Sequence, residues 1–418
     1  MTRGHRGSRG TRRWRPICVA ASVAVLLAGT LSACTTPRRF GVSTTVLPPS
    51  GTCDRSRVVE VGASLALSGS QRALGREYLT GLQMAVRRIN DRGGLLKQHR
   101  CLELLYKDDG GSIPIARQAV LDLVNREQVS LLMSPILSAQ VQGATSALAA
   151  ANVPVGSVSS LDKTFRRTVQ PWTFPAASSM ASVTRAMVDY ARAQGWRQLA
   201  IAAVNDPVGQ QGASSLARAA QRSGLTVSET AITAGGHAAS ALARLHADRP
   251  DGLAVVGDTI EVGAILQARA AARWVVPVVA SPIGVDPSVV QIAGRSGLSG
   301  VAAVVPQAIM AQPGISDAAV RHFRDQLRAA LHQPTIDGSI FTYAQGYDAV
   351  SMFAASAESS RSITGSNVRT FLESAGYEGL LASYQYTTAR HTGIPPDQQV
   401  VAPASTLSDG LFAAPSGS

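Results

Sequence analysis

An apolar run over residues 58–67 breaks at Ser68-Gly69, a segment with helical period over residues 75–91 stops at Gly93-Gly94, and a second apolar run, residues 102–106, ends at Asp108-Asp109. This pattern predicts a strand, a helix and a second strand. Parallel strands need such a crossover, and it sends the ends of both strands to one edge of a sheet. Ligands of open α/β sheets bind at that edge.

The alternation continues along the chain. Residues 113–125 are helical in period, 129–133 read as a buried strand, and 138–151 as an alanine-rich helix with Ser138 at a capping position. A short strand at 153–155 runs into Ser157-Val158-Ser159-Ser160, and residues 171–175, with a proline at each end, break the pattern. A second set follows, with helices at 178–194, 209–223, 238–247 and 261–273 and strands at 198–204, 225–232, 252–256 and 275–280. Two sheets are therefore expected. Residues 316–331 and 340–360 are two further long helices, and the pattern beyond residue 378 is weaker.

With 418 residues, 45% of them hydrophobic, the chain can bury two ordinary cores. The net charge of +12 shrinks on inspection. Six arginines (Arg3, Arg6, Arg9, Arg12, Arg13, Arg15) and no acids precede Cys34; without them 33 basic residues stand against 27 acidic ones. That balance gives little ground for a nucleic-acid partner, and none is expected.

The same arginines define a leader. Residues 1–16 form a basic region and residues 17–29 an apolar one too short to span a bilayer comfortably, followed by Leu31-Ser32-Ala33-Cys34. The arrangement resembles a bacterial lipobox, which implies cleavage after residue 33, a lipid on Cys34 and a position on the outer side of the cell membrane. The plainer reading is an ordinary signal peptide with an incidental cysteine. Residues 34–57 lack apolar period and read as a flexible tether. Cys53 precedes the first strand and Cys101 opens the second. If those strands are neighbours, the two lie close enough for a disulfide; otherwise they are two buried thiols.

Residues 61–69 (VGASLALSG), Gly75, Ala85-Val86, Ile89-Asn90-Asp91, Gly93-Gly94-Leu95 and Lys107-Asp108-Asp109 resemble the opening of the branched-chain amino-acid-binding type of substrate-binding protein. The likeness extends through Asn205-Asp206, Ile292-Ala293-Gly294 and Gly346-Tyr347-Asp348-Ala349. It implies the type I periplasmic binding fold: α/β, with two Rossmann-like lobes, parallel central sheets and a three-segment hinge. The crossings would fall near residues 174–177, 304–307 and 374–378. Lobe one would hold residues 58–175 and 308–374, and lobe two residues 178–304 and 378–412. A small ligand, an amino acid, amide or similar molecule, would sit between them, and an ABC permease would be the membrane partner.

The resemblance also assigns a site. Ser138 matches the family's serine at a helix start, and Ser159 and Ser160 fall on its second small-residue loop; together they would meet an α-amino acid's polar end. The plainer reading is a cap and a turn. Other positions depart from the family. A tyrosine before Gly75 is Leu74 here, an aromatic near Asp258 is absent, and the acid expected in the loop at 280–285 gives way to Pro282. Asp258, at the end of a second-lobe strand, is the expected partner for an ammonium group, with Asp206 the next choice; either also reads as a solvated acid or helix cap. Trp172 and Tyr78 are candidates for the cleft mouth, or else hinge packing and core.

Enzyme signatures are missing. The sequence has no G-x-S-x-G elbow, no Walker loop and no G-x-G-x-x-G, and its seven histidines lack metal-ligand spacing. Asp108-Asp109, followed by two glycines, reads as a strand-end turn. The expectation is a lipid-anchored solute receptor with no catalytic residue, metal or cofactor. The second reading is a sensory lipoprotein of the same fold signalling to a membrane partner.

Overall fold

The computed structural model describes residues 43–95, 99–232, 238–311 and 318–413. The leader and Cys34 lie outside these residues. No helix among the described residues is long and apolar enough to cross a membrane.

The first lobe begins with β1 (Thr44–Leu47), β2 (Asp54–Leu65), α1 (Arg72–Asp91), β3 (Arg100–Asp108), α2 (Ile113–Asn125), β4 (Leu131–Met133), α3 (Ser138–Gly143), α4 (Thr145–Ala149), β5 (Val155–Ser157) and β6 (Thr173–Pro175). Its sheet runs β1-β3-β2-β4-β5-β6, parallel throughout except for β1, which pairs antiparallel with β3. Residues Val59, Val61, Ala63 and Leu65 are fully buried because helices cover both faces of such a sheet. Each large apolar side chain so buried contributes about 1.5–3 kcal/mol.

The second lobe follows with α5 (Met180–Ala193), β7 (Gln198–Val204), α6 (Pro207–Arg222), β8 (Thr226–Ile232), α7 (Ala238–Ala247), β9 (Gly252–Val256), α8 (Glu261–Ala271), β10 (Val278–Ala280), α9 (Pro287–Gly297) and β11 (Val301–Pro306). The chain then returns through β12 (Met310–Ala311), α10 (Ala318–Leu331), α11 (Phe341–Ser360) and α12 (Gly365–Ala375) to the first lobe, where α11 packs against α1. A β-carbon on Gly81 would lie 1.9 Å from the Tyr343 carbonyl oxygen, so only glycine permits this approach. The tail forms β13 (Tyr377–Glu378), β14 (Ser383–Tyr384), β15 (Gln399–Pro403), β16 (Leu407–Ser408) and β17 (Leu411–Ala413). The second sheet runs β15-β11-β10-β9-β7-β8, with β15 antiparallel to β11 and the rest parallel.

Three expected boundaries move. Strand β1 lies inside the segment expected to be a tether, and β2 starts at Asp54 rather than residue 58. Thr44 explains the docking: its hydroxyl accepts from Lys107 Nζ (2.7 Å) and donates to Glu127 (2.8 Å), completing a buried lysine's partners. Cys53 and Cys101 are joined in a disulfide with Cα atoms 5.2 Å apart, at the start of neighbouring β2 and β3.

The third hinge crossing is also later than residues 374–378. The β13–β14 hairpin stays with the first lobe, held by buried Asp348 on α11, which accepts from the Leu380 and Leu381 amides (2.7 and 3.0 Å) and the Tyr384 hydroxyl (2.8 Å). The chain then passes alongside the first crossing, where Tyr386 donates to the Pro175 carbonyl (3.0 Å) and His391 stacks on Phe174. Within the tail assigned to lobe two, only β15 joins that lobe's sheet. Residues 404–413 turn back to pair with β12 and accept the Ile340 amide at Gly410 (3.1 Å).

Candidate functional site

Leaving the added edges aside, the two sheets share one strand order: β3-β2-β4-β5-β6 in the first lobe and β8-β7-β9-β10-β11 in the second. In both the order reverses between the first strand and the third. The crevice at such a switch point is where open α/β sheets bind ligands. Ser138 follows β4 and Asp258 follows β9, so they occupy equivalent places in the two lobes, and they meet.

Ser138 is buried, and its hydroxyl donates to Asp258 Oδ2 across the cleft in a short hydrogen bond. The Ser138 hydroxyl oxygen also lies 2.8 Å from Ser159 Oγ. It caps nothing: Leu137 is the residue before α3, and no side chain caps that helix. Ser159 is fully buried, while Ser160 lines the cavity and its carbonyl accepts the Met180 amide (2.9 Å) at the first hinge crossing. Burial, and then Asp206 beside it, push Asp258 up to about 8, against the pull of the Ser138 hydrogen bond. Asp258 Oδ1 has no hydrogen-bond partner.

Asp206 stands behind Asp258 rather than on the cavity wall. It caps α6 by accepting the Gly209 amide (2.7 Å), and burial, with Glu261 nearby, raises its pKa. The plain helix-cap reading therefore describes this acid, which acts on Asp258 through its charge.

The cavity between the lobes measures about 40 Å³, room for a few waters. Leu74 lines it, as does Pro282. The loop at 280–285 does lack an acid, but one stands immediately beyond it. Asp286 is fully buried, accepts a short hydrogen bond from the Thr342 hydroxyl of the first lobe, and leaves Oδ1 without a partner. Burial, followed by Glu77, raises its pKa well above the usual carboxylate range. Glu77, on α1, accepts the Ser288 amide of the second lobe (2.8 Å); burial pushes it up to about 7 and leaves its Oε2 without a partner. A last bridge joins Gln71 to both oxygens of Glu261 (3.0 and 2.9 Å).

Asp286, Thr342 and Glu77 escaped the sequence reading, although two signals existed. Glu77 interrupts the apolar stripe of α1 formed by Leu74, Tyr78 and Leu82, and Asp286-Pro287 has the form of a helix start. Two candidates for the mouth lie elsewhere. Tyr78 is core, its hydroxyl against Met133 Sδ (3.6 Å), and Trp172 packs under Arg369 (4.3 Å to the ring centre). Asp109 braces the loop edge, accepting from Ser64 and Gln140 (2.6 Å each), and Asp108 accepts the Leu67, Ser68 and Gly110 amides (2.9, 3.1 and 2.9 Å). Among the described residues no group of three or more His, Cys, Asp or Glu could hold a metal ion.

Known proteins share this architecture. A type I periplasmic binding protein from Bordetella pertussis Tohama I superposes with a TM-score of 0.72 at 19% identity, covering 82% of this chain and 96% of that one. The leucine-binding protein LivK of Thermotoga maritima gives 0.69 at 15% identity, over 80% of this chain and 92% of its own. The branched-chain amino acid transporter substrate-binding protein LivJ of Streptococcus pneumoniae, solved with isoleucine, gives 0.68 at 20%, over 80% and 93%. A curated relative, glutamate receptor 3.7 of Arabidopsis thaliana, is 24% identical over 164 residues, which are 39% of this chain and 17% of that receptor. The family model for periplasmic binding proteins matches residues 58–401. With that match over most of its length, and two equivalent α/β lobes facing one another across a cavity, the chain belongs to the periplasmic binding protein family and has its type I fold.

Proposed function

We propose that this protein is a lipid-anchored receptor on the outer side of the cell membrane that delivers an amino acid, or a related small polar molecule, to an ABC importer. The observation that carries the reading is the cavity between the lobes: Asp258 and Ser160 line it, and behind them the Ser138 hydroxyl meets Asp258 and Ser159. A ligand ammonium takes the place of the Ser138 hydroxyl at Asp258, and the freed serines donate to the ligand's carboxylate. Each lobe holds one half of the partners, so the ligand favours the closed arrangement and closure becomes the signal read by the permease. The work done is binding, with no bond broken. The Thermotoga maritima and Streptococcus pneumoniae proteins, a leucine-binding protein and an isoleucine complex, support the amino-acid class.

A thermal-shift screen of amino acids, amides, ureas and small peptides tests this. A true ligand at 100 times its Kd stabilises the protein by about 2.7 kcal/mol. If no member of the set moves the transition, the amino-acid reading falls. Cys34→Ala should release the chain from the membrane fraction; full retention would remove the lipid anchor. The resemblance to a plant glutamate receptor favours a second reading, a ligand sensor. Copurification with a permease and its ATPase, or with a signalling partner instead, separates the two.

A further inference from the structure

Two carboxylates, Asp258 and Asp286, face one small cavity, and each presents a buried oxygen that no donor meets. A second acid backs each one: Asp206 raises Asp258, and Glu77 raises Asp286. The lining contains no lysine or arginine; its other polar groups are hydroxyls and the Gln345 amide, and that amide is committed to the Ala176 carbonyl (2.9 Å). A buried carboxylate without a partner is costly, so the site meets it with a proton or with a cation brought by the ligand. One such oxygen fits the ammonium of an α-amino acid. The second is left over.

From this geometry we infer that the ligand carries a second positive charge, received by Asp286 with Glu77 behind it, and that the site selects an amino acid with a basic side chain. The inference rests on the amino-acid reading above. Between the two acids the wall is apolar, formed by Leu74, Ile136, Val158, Ile283 and Phe341, which suits the methylene chain of such a molecule. Asp286 lies on the second lobe and Thr342 and Glu77 on the first, so a cation placed among them also ties the lobes together. The groups facing Asp286 are Glu77, Tyr343 and the Thr342 hydroxyl. None of them is basic, so no cation of the protein occupies the place offered to the ligand's second charge.

Calorimetric titration of the full chain in detergent, with L-lysine and with L-norleucine as its neutral counterpart, tests the assignment. Lysine should bind at least 100-fold more tightly than norleucine. Asp286→Asn should bring the affinity for lysine to within a few-fold of that for norleucine in the same variant; the asparagine oxygen can still accept from Thr342. Lysine binding at pH 7 should also release protons, seen as different heats in buffers of different ionisation enthalpy, because the arriving cation lowers the carboxyl's proton affinity. Equal affinity for lysine and norleucine, unaffected by Asp286→Asn, overturns this inference and leaves the amino-acid reading standing. If no amino acid binds the wild-type chain, the underlying reading fails and this one with it.

Discussion

The two lobes repeat one strand order and then spend their equivalent loops differently. Where the chain leaves β4 in the first lobe it presents Ser138, and Ser159 follows β5; where it leaves β9 and β10 in the second it presents Asp258 and Asp286. Across the cleft the first lobe therefore offers hydroxyl donors and the second offers carboxylate acceptors. Ser138 meets Asp258 and Thr342 meets Asp286 on the same plan, with Glu77 the one acid contributed in the opposite direction. A hydroxyl satisfies one oxygen of a carboxylate but brings no charge to neutralise it. The acids consequently hold their protons to unusually high pH.

The lobes also differ in how they are braced. The first is clipped by Cys53–Cys101 and by β1, whereas the second takes its extra edge strand, β15, from the tail. Removing the disulfide by Cys53→Ser with Cys101→Ser should lower stability by about 4 kcal/mol for a loop of 48 residues, in the chain-entropy account. Denaturant unfolding checks it, and the loss should appear as early melting of the first lobe. If the second lobe melted first, the difference in bracing would be of no consequence.

The acids predict a smaller effect with a definite sign. Glu77 rises from its ordinary value to about 7 and Asp258 to about 8 in the folded chain, so between pH 4 and pH 8 the folded state holds protons that the unfolded state has released. The stability these two acids contribute is therefore fully present below their unfolded values and is lost as pH rises through the folded ones, by ~3 kcal/mol for Glu77. Thermal unfolding at pH 5 and pH 8 measures it. Glu77→Gln should flatten the profile, and a profile that rises with pH would contradict the account of the cleft.

Ser138→Ala tests the hydroxyl side alone. It removes one donor from Asp258 and one ligand contact, so affinity for whichever ligand the screen finds should weaken by about 1 kcal/mol, roughly fivefold. Calorimetry reads this directly. An unchanged affinity would move the ligand's polar end away from the serines.

Part of the site could be read from local pattern. Ser138, Ser159, Ser160 and Asp258 each come just after an apolar run that had to be a strand, and strand ends in such folds open onto ligand. Ser138, read as a ligand contact or more plainly as a cap, caps no helix and bridges the lobes through Asp258. Asp206 kept the role of a cap. Asp286 and Glu77 left only weak local signals, because neither follows a strand end directly and each acquires its meaning from the opposite lobe. The tail misled for a related reason: β13, β14 and β16 are two-residue strands, too short to carry a period.

By itself the sequence determined the alternation of strands and helices, the existence of two sheets and the opening segment that resembles a known family. Those are properties of spacing, since a buried parallel strand and an amphipathic helix each declare themselves within a dozen residues. Tertiary structure alone decided which carboxylates share the cavity, that Ser138 reaches an acid 120 residues away, and that the chain crosses the hinge late. Burial sets a carboxyl's charge, and burial depends on what the other lobe lays over it, which no local pattern contains.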